Sequence, residues 1–282
     1  FDCMNIDHLH RKNEVEVLNL DVLRQAIRSV NNEATDRPQG MTDAEVEQAI
    51  DAIRASDLNV DGHILNQRIL TTIISGCRMQ VLQSNGHKEL RTVHYIDWKE
   101  GNADNNQFDV INQLWIQGQV YRLRPDVIVY INGIPLVTIE LKDSNIPVRE
   151  AYDNNLTRYK AAIPQIMAYN AFLVASNATK TRLGSTFADW TYFSPWFRAS
   201  EDEKADKEQL EADKTTLDAM ARSLLKKENL LNYIANYILF YKGTNKICAK
   251  NHQFLGVNRA VERFRYLQFG KPKADEQGKM GV

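Results

Sequence analysis

"RPDVIVYINGIPLVTIELKD" runs from Arg124 to Asp143. It reads as two apolar, β-branched runs hinged at Asn132-Gly133, a pair that signals a hairpin turn. Three charges interrupt it: Asp126 opens the first run, and Glu140 and Lys142 close the second. Where they point depends on the turn. In a two-residue turn Asp126 faces Ile139, and Glu140 points to the other side of the sheet. In a three-residue turn, from Ile131 to Gly133 with Gly133 left-handed, Asp126 faces Thr138. Glu140 and Lys142 then follow on the same face, because strand side chains alternate with period two. That second register also gathers Val127, Val129, Val137, Ile139 and Leu141 on one apolar face, so it is the register expected here.

Two carboxylates and a lysine on one face suit a hard cation. Mg²⁺ takes oxygen ligands and keeps several waters, so Asp126 and Glu140 suffice as metal ligands if a phosphate supplies the rest. Lys142 can position a metal-activated water or offset charge on a phosphorane-like transition state. Phosphodiester hydrolysis uses this set of groups. A buried ion pair, or strand-end charges reaching solvent, would leave the same string, which is a weak signal by itself. The shared polar face backed by an apolar one tips the balance to a site.

Outward from the hairpin, the chain reads as a β-centred α/β core between helical flanks. The first 80 residues read as helical: "DVLRQAIRSV" (21–30) has helical apolar spacing, and Thr42 stands three residues before Glu45 as a capping box. Strand signals begin at Leu90. "VREAYDNNLTRYKAAI" (148–163) returns to helix, and Pro164 bars its simple continuation. "AFLVAS" is a short strand. After a candidate boundary near residue 200 comes the charge-dense "RASEDEKADKEQLEADK", then two amphipathic helices over about 226–241 and 253–266.

The chain has 282 residues, 43% hydrophobic and 25% charged, with a formal net charge of −1. It therefore exerts no global pull on nucleic acid, and any such contact must come from a local basic patch. Lys160, Lys180 and Arg182 are the expected phosphate contacts. Cys3, Cys77 and Cys248 are odd in number and widely spaced, which suits a reducing cytoplasm and neither disulfides nor a cysteine zinc site. No apolar run of membrane-spanning length or signal peptide is visible, so no membrane partner is expected. His8 and His10 show no metal spacing and read as exposed loop residues.

The acid-acid-lysine stretch resembles the nuclease core of the PD-(D/E)xK superfamily. Its surroundings resemble the restriction (R, HsdR) subunit of type I restriction-modification enzymes, through "YIDWKEGNADNNQFDVINQLWI", "YKAAIPQIMAYNAFLVASNATKTRLG" and "ICAKNHQFLGVNRAVE". The resemblance implies a central mixed β-sheet flanked by helices with a helical C-terminal segment. It divides the chain into a nuclease domain (1–200) and a linker entering the motor region (201–282), cut short before Walker A. It implies Mg²⁺-dependent cleavage of double-stranded DNA after ATP-driven translocation, in a cytoplasmic complex with methylation and specificity subunits. The catalytic roles fall on Asp126, Glu140 and Lys142.

The branch also carries Q-x-x-x-Y on the helix after the lysine strand, which puts both side chains on one helix face. Here "NLTRY" (Asn155, Tyr159) occupies that helix with Asn for Gln, and is favoured for its geometry. "QIMAY" (Gln165, Tyr169) matches the letters but follows Pro164. No acid of an upstream helix can be placed; Glu14 and Glu16 lie in the opening segment. Gln253 resembles the adenine-reading glutamine of such motors, and in this chain alone reads as a helix-start residue. Two other functions fit less well: an assembly module that keeps the fold without catalysis, and a free-standing repair nuclease.

Overall fold

The computed structural model describes residues 2–4, 11, 13–55, 57–200 and 215–270. It opens with strand β1 (Asp2–Met4), helices α1 (Leu20–Val30), α2 (Asp43–Ile53) and α3 (Gly62–Ser75), and strands β2 (Cys77–Leu82) and β3 (Lys88–Val93). Next come β4 (Phe108–Asn112), β5 (Ile116–Gln117), β6 (Arg122–Leu123), β7 (Val127–Ile131) and β8 (Ile134–Leu141). A π-helical segment (Ala151–Leu156) leads into α4 (Thr157–Ala162) and α5 (Pro164–Met167), followed by β9 (Phe172–Ser176), β10 (Thr181–Gly184) and β11 (Ser194–Pro195). The C-terminal part holds α6 (Thr216–Arg222), α7 (Lys227–Asn236), β12 (Ile238–Tyr241), β13 (Asn245–Cys248) and α8 (Asn251–Phe269).

Seven strands form one mixed sheet in the order β1-β4-β7-β8-β9-β10-β11. The β1/β4 and β8/β9 pairs are parallel and the others antiparallel. Strand β8 is central, and every residue from Ile134 to Glu140 is buried. Its near-continuous apolar run is what a strand covered on both faces requires. Helices flank this sheet, as the resemblance implied.

The key hairpin turns on two residues, not three. Asn132 (φ 51°) and Gly133 (φ 79°) are both left-handed, the requirement of a tight two-residue turn. Asn132 is buried, accepts from the Gln107 amide at 2.8 Å, and donates to Tyr95 O and Asn106 Oδ1. A Cβ on Gly133 would lie 2.4 Å from Asn19 O, so only glycine fits against the start of α1. Near the turn Ile131 pairs with Ile134 and Tyr130 with Pro135. The register then shifts by one, pairing Val129 with Val137, Ile128 with Thr138 and Val127 with Ile139. This β-bulge adds a residue to β8 and undoes the face inversion that a two-residue turn alone would impose. Thr138 thus meets Ile128, and Asp126 comes opposite Glu140 just past the paired residues.

Other expectations change as well. The first 80 residues are not all helix, since β1 and β2 lie there. The helix expected over about 226–241 ends at Asn236, and the chain turns into the β12–β13 hairpin through left-handed Lys242 and Gly243. Leu239, Phe240 and Tyr241 suit either periodicity, so only the Gly243 turn signal separated the two. Helix 148–163 is wound as a π-helix over its first half, with the Thr157 amide reaching back five residues to Tyr152 O. Most of the charge-dense segment (201–214), with His8 and His10, lies outside the described residues.

The described C-terminal residues share the core of the sheet domain. Tyr233 of α7 packs edge-on against Phe172 of β9 (5.4 Å) and against Trp196 (5.9 Å), and Trp196 Nε1 donates to Ser223 Oγ at 3.0 Å. Among the described residues no helix is long and apolar enough to cross a membrane.

Candidate active site

Glu140 is the second-last residue of the central strand and only 1% exposed. A lone carboxylate there would be costly, and the neighbouring elements supply its partners. Lys142, two residues on, donates to Oε1 at 2.9 Å, and Tyr159 of α4 donates to Oε2 at 2.8 Å. Burial nonetheless holds the Glu140 carboxyl above the usual carboxylate range, against the lowering pull of Lys142 and Tyr159; the charge of Asp126 raises it further.

Asp126 stands immediately before β7, at the end of the ladder. Its Oδ2 accepts from the Leu141 amide at 2.8 Å, so the side chain serves a main-chain donor beyond the last pair of the β7–β8 ladder. Its own carbonyl accepts from the Gln113 amide at 2.8 Å, which fixes the residue from the β4 side. Asp126 and Glu140 therefore share one end of the hairpin, close enough for their charges to interact. Among the described residues no group of three or more His, Cys, Asp or Glu side chains converges to hold a metal ion, so any cation here would rest on this pair.

The two helix registers separate cleanly. Tyr159 is buried beside Glu140, and burial pushes its hydroxyl well above the usual tyrosine range. Asn155 Nδ2 lies 3.5 Å from the Tyr159 hydroxyl, the outer limit for a hydrogen bond. Asn155, Tyr159, Glu140 and Lys142 form one chain of contacts. Gln165 and Tyr169 lie elsewhere: Gln165 Nε2 donates to Gln117 O at 2.8 Å, and the Tyr169 hydroxyl accepts from the Ala55 amide at 3.0 Å. Gln165 ties α5 to β5, and Tyr169, just past α5, ties the chain to the end of α2.

The remaining candidates take structural partners. Glu14 pairs with Arg122, and Glu16 with Arg54 at 3.1 Å. Gln253 Oε1 accepts from the Lys250 amide at 2.8 Å, capping the start of α8. Lys160 Nζ donates to Ala188 O at 3.1 Å and lies 4.8 Å from the Tyr152 ring; burial brings its pKa down to about 8. Arg182 donates to Phe193 O at 2.8 Å. Of the three expected phosphate contacts, Lys180 is the exposed one and, among the described residues, makes no such bond. A basic cluster went unread in the sequence: Arg122, Arg124 and Arg158 line a cavity of about 300 Å³ with Trp115, Asn155 and Tyr159. Its trace in the sequence is the interleaving of Arg and aromatic residues in "WIQGQVYRLR" (115–124).

Comparison with known proteins gives the chain's relatives. A Haemophilus influenzae type I restriction enzyme HindI endonuclease subunit is 32% identical over 256 residues, covering 87% of this chain and 23% of its own length. The MjaIXP protein of Methanocaldococcus jannaschii is 32% identical over 241 residues, 78% of this chain and 22% of its own. The chain thus spans less than a quarter of these relatives. The family described as the type I restriction enzyme R protein N terminus matches residues 3–192. By that match, over more than half of its length, the chain belongs to the family of type I restriction enzyme R protein N-terminal regions.

Proposed function

We propose that this chain is the nuclease part of a type I restriction enzyme R subunit, a PD-(D/E)xK core cleaving double-stranded DNA with Mg²⁺. One observation carries the reading: Glu140 is buried between Lys142 and Tyr159, with Asp126 beside it. The donor set fits the metal. Two hard carboxylate oxygens sit at one hairpin end, and burial beside a second carboxylate disfavours the charge on Glu140 until a cation compensates it. When bound, Mg²⁺ would lower the pKa of a water and polarise the phosphoryl oxygens.

The chain's own groups do the rest. Asp126 and Glu140 hold the cation. Lys142, the more exposed member of its ion pair, orients the attacking water and offsets charge growing on the phosphate. Tyr159 aims Glu140 and lowers the cost of its charge, since a hydrogen bond to the charged form favours that form. Asn155 supports Tyr159 from the π-helical turn.

In the longer protein, cutting would follow ATP-driven translocation by a motor beyond this chain, in a cytoplasmic complex with methylation and specificity subunits. Residues 201–282 would be the approach to that motor. Val257, Val261 and Phe264 leave an exposed apolar stripe on α8 in keeping with this, and Gln253 would meet a nucleotide only there. The test uses the complete enzyme with circular DNA, Mg²⁺ and ATP, scoring nicking and ATP hydrolysis together. Lys142→Ala is expected to cut ~10²–10³-fold more slowly with ATP hydrolysis intact. Near-normal cutting by the variant would remove Lys142 from the chemistry.

A further inference from the structure

The cavity behind Tyr159 contains guanidinium groups that the cleavage chemistry does not use. Arg122 and Arg124 approach the same indole, their guanidinium carbons 4.1 Å and 5.0 Å from the Trp115 ring centre. Arg158, one residue before Tyr159 on α4, lies over Tyr121 at 5.3 Å. Ring faces hold guanidinium planes flat and leave their N–H edges pointing outward, which lowers the entropy lost on binding a planar or tetrahedral oxyanion. Arg122 is already bound by the Glu14 carboxylate. Arg124 and Arg158 are exposed and, among the described residues, pair with no carboxylate. Two uncompensated cations therefore face one shallow cavity.

Their position is fixed. Gly118, between β5 and β6, packs so tightly on α4 that a Cβ there would lie 1.8 Å from Ala162 O. Gln165 holds the Gln117 carbonyl at 2.8 Å. The β5–β6 hairpin is thereby seated against the helix that carries Arg158 and Tyr159. Because the Tyr159 hydroxyl bonds Glu140, the cavity wall stands one side chain away from the paired carboxylates.

We propose that Arg124 and Arg158 grip a phosphate of the DNA backbone next to the one presented to Asp126, Glu140 and Lys142. Trp115 and Tyr121 are their rigid supports. The placement next to a scissile phosphate rests on the nuclease reading above; the phosphate grip itself rests on the cavity. Such contacts fix the path of a strand without reading its sequence.

The experiment measures binding of a labelled duplex of arbitrary sequence by the full-length subunit, without ATP, across a series of KCl concentrations. Each phosphate contact releases counterions and contributes about one to the slope of log affinity against log salt. The Arg124→Ala/Arg158→Ala double variant, which loses the one phosphate contact, is expected to lower that slope by about one, and the Lys/Lys double variant to restore most of it. Lys88→Ala, an exposed lysine on the separate two-stranded β2–β3 sheet, is expected to leave it unchanged. An unchanged slope in the Ala/Ala variant, with its melting temperature preserved, would overturn the proposal. So would an equal loss from Lys88→Ala. Cleavage measured alongside separates the two readings. A lowered slope in an enzyme whose cutting ignores Lys142 keeps the grip and sinks the nuclease reading. An unchanged slope with Lys142-dependent cutting does the reverse.

Discussion

At the residue scale, Glu140 is where stability and function pull apart. Its folded pKa is raised, so its protonated form is favoured: the stability it contributes is fully present below the ordinary carboxylate value. That stability is lost as pH rises through the folded value. Without metal at neutral pH, Glu140→Gln is therefore expected to raise the melting temperature, by roughly 2–4 °C for each kcal/mol recovered. Mg²⁺ should raise the melting temperature of the parent protein and leave that of the variant unmoved. Equal Mg²⁺ effects in both would argue against Glu140 as a ligand. Tyr159→Phe removes a hydrogen bond to the charged form, so the acidic limb of the cleavage pH profile should move to higher pH. A uniform loss of rate with the limb unmoved would assign Tyr159 a different task. Tyr169→Phe, by contrast, should cost about 1 kcal/mol by stranding the Ala55 amide, and leave cleavage as it was.

At the element scale, two junctions hold the fold. Gly133→Ala would meet both a left-handed φ and the Asn19 carbonyl, and is expected to cost more than the ~1–3 kcal/mol of strain alone, read from denaturant melts. A neutral result would mean that the turn relaxes away from α1. The second junction is the buried Arg37–Glu45 pair at the start of α2, joined at 2.6 Å. Burial opposes the charge of Glu45. The Leu82 and Thr42 amides, the Thr42 hydroxyl and Arg37 outweigh it and hold the carboxyl below its ordinary value. Its contribution is thus present above that ordinary value and lost as pH falls through the lower, folded one. Glu45→Ala should cost about 3–5 kcal/mol at pH 7 by leaving Arg37 buried without its partner. Its deficit against the parent should shrink in acid.

At the scale of the whole molecule, chain order hides the neighbours of the site. Trp115, Arg124 and Arg158 come together because the β5–β6 hairpin lies against α4, not because their spacing in sequence asks for it. The C-terminal segment behaves likewise. Read alone it suggests two amphipathic helices beyond a boundary near residue 200, whereas Tyr233 packs on Phe172 of β9 and on Trp196 and joins the described residues to one core.

The sequence by itself determined the strand-rich centre, the capping box of α2 and the helical spacing that sets Asn155 and Tyr159 on one face. Each rests on local periodicity or helix-face geometry, which are properties of neighbouring residues. It also brought Asp126 and Glu140 to one face, but by the wrong turn. The α1 backbone packed on Gly133 and the hydrogen bonds of buried Asn132 hold a two-residue turn, and a bulge in β8 opposite the Val129–Tyr130 step restores the face that this turn would have lost. Turn length and bulge have opposite effects on side-chain direction, so the alternation of residues records only their combined result. Which of the two happened is settled by contacts from residues more than 25 positions away, and only the tertiary structure supplies those.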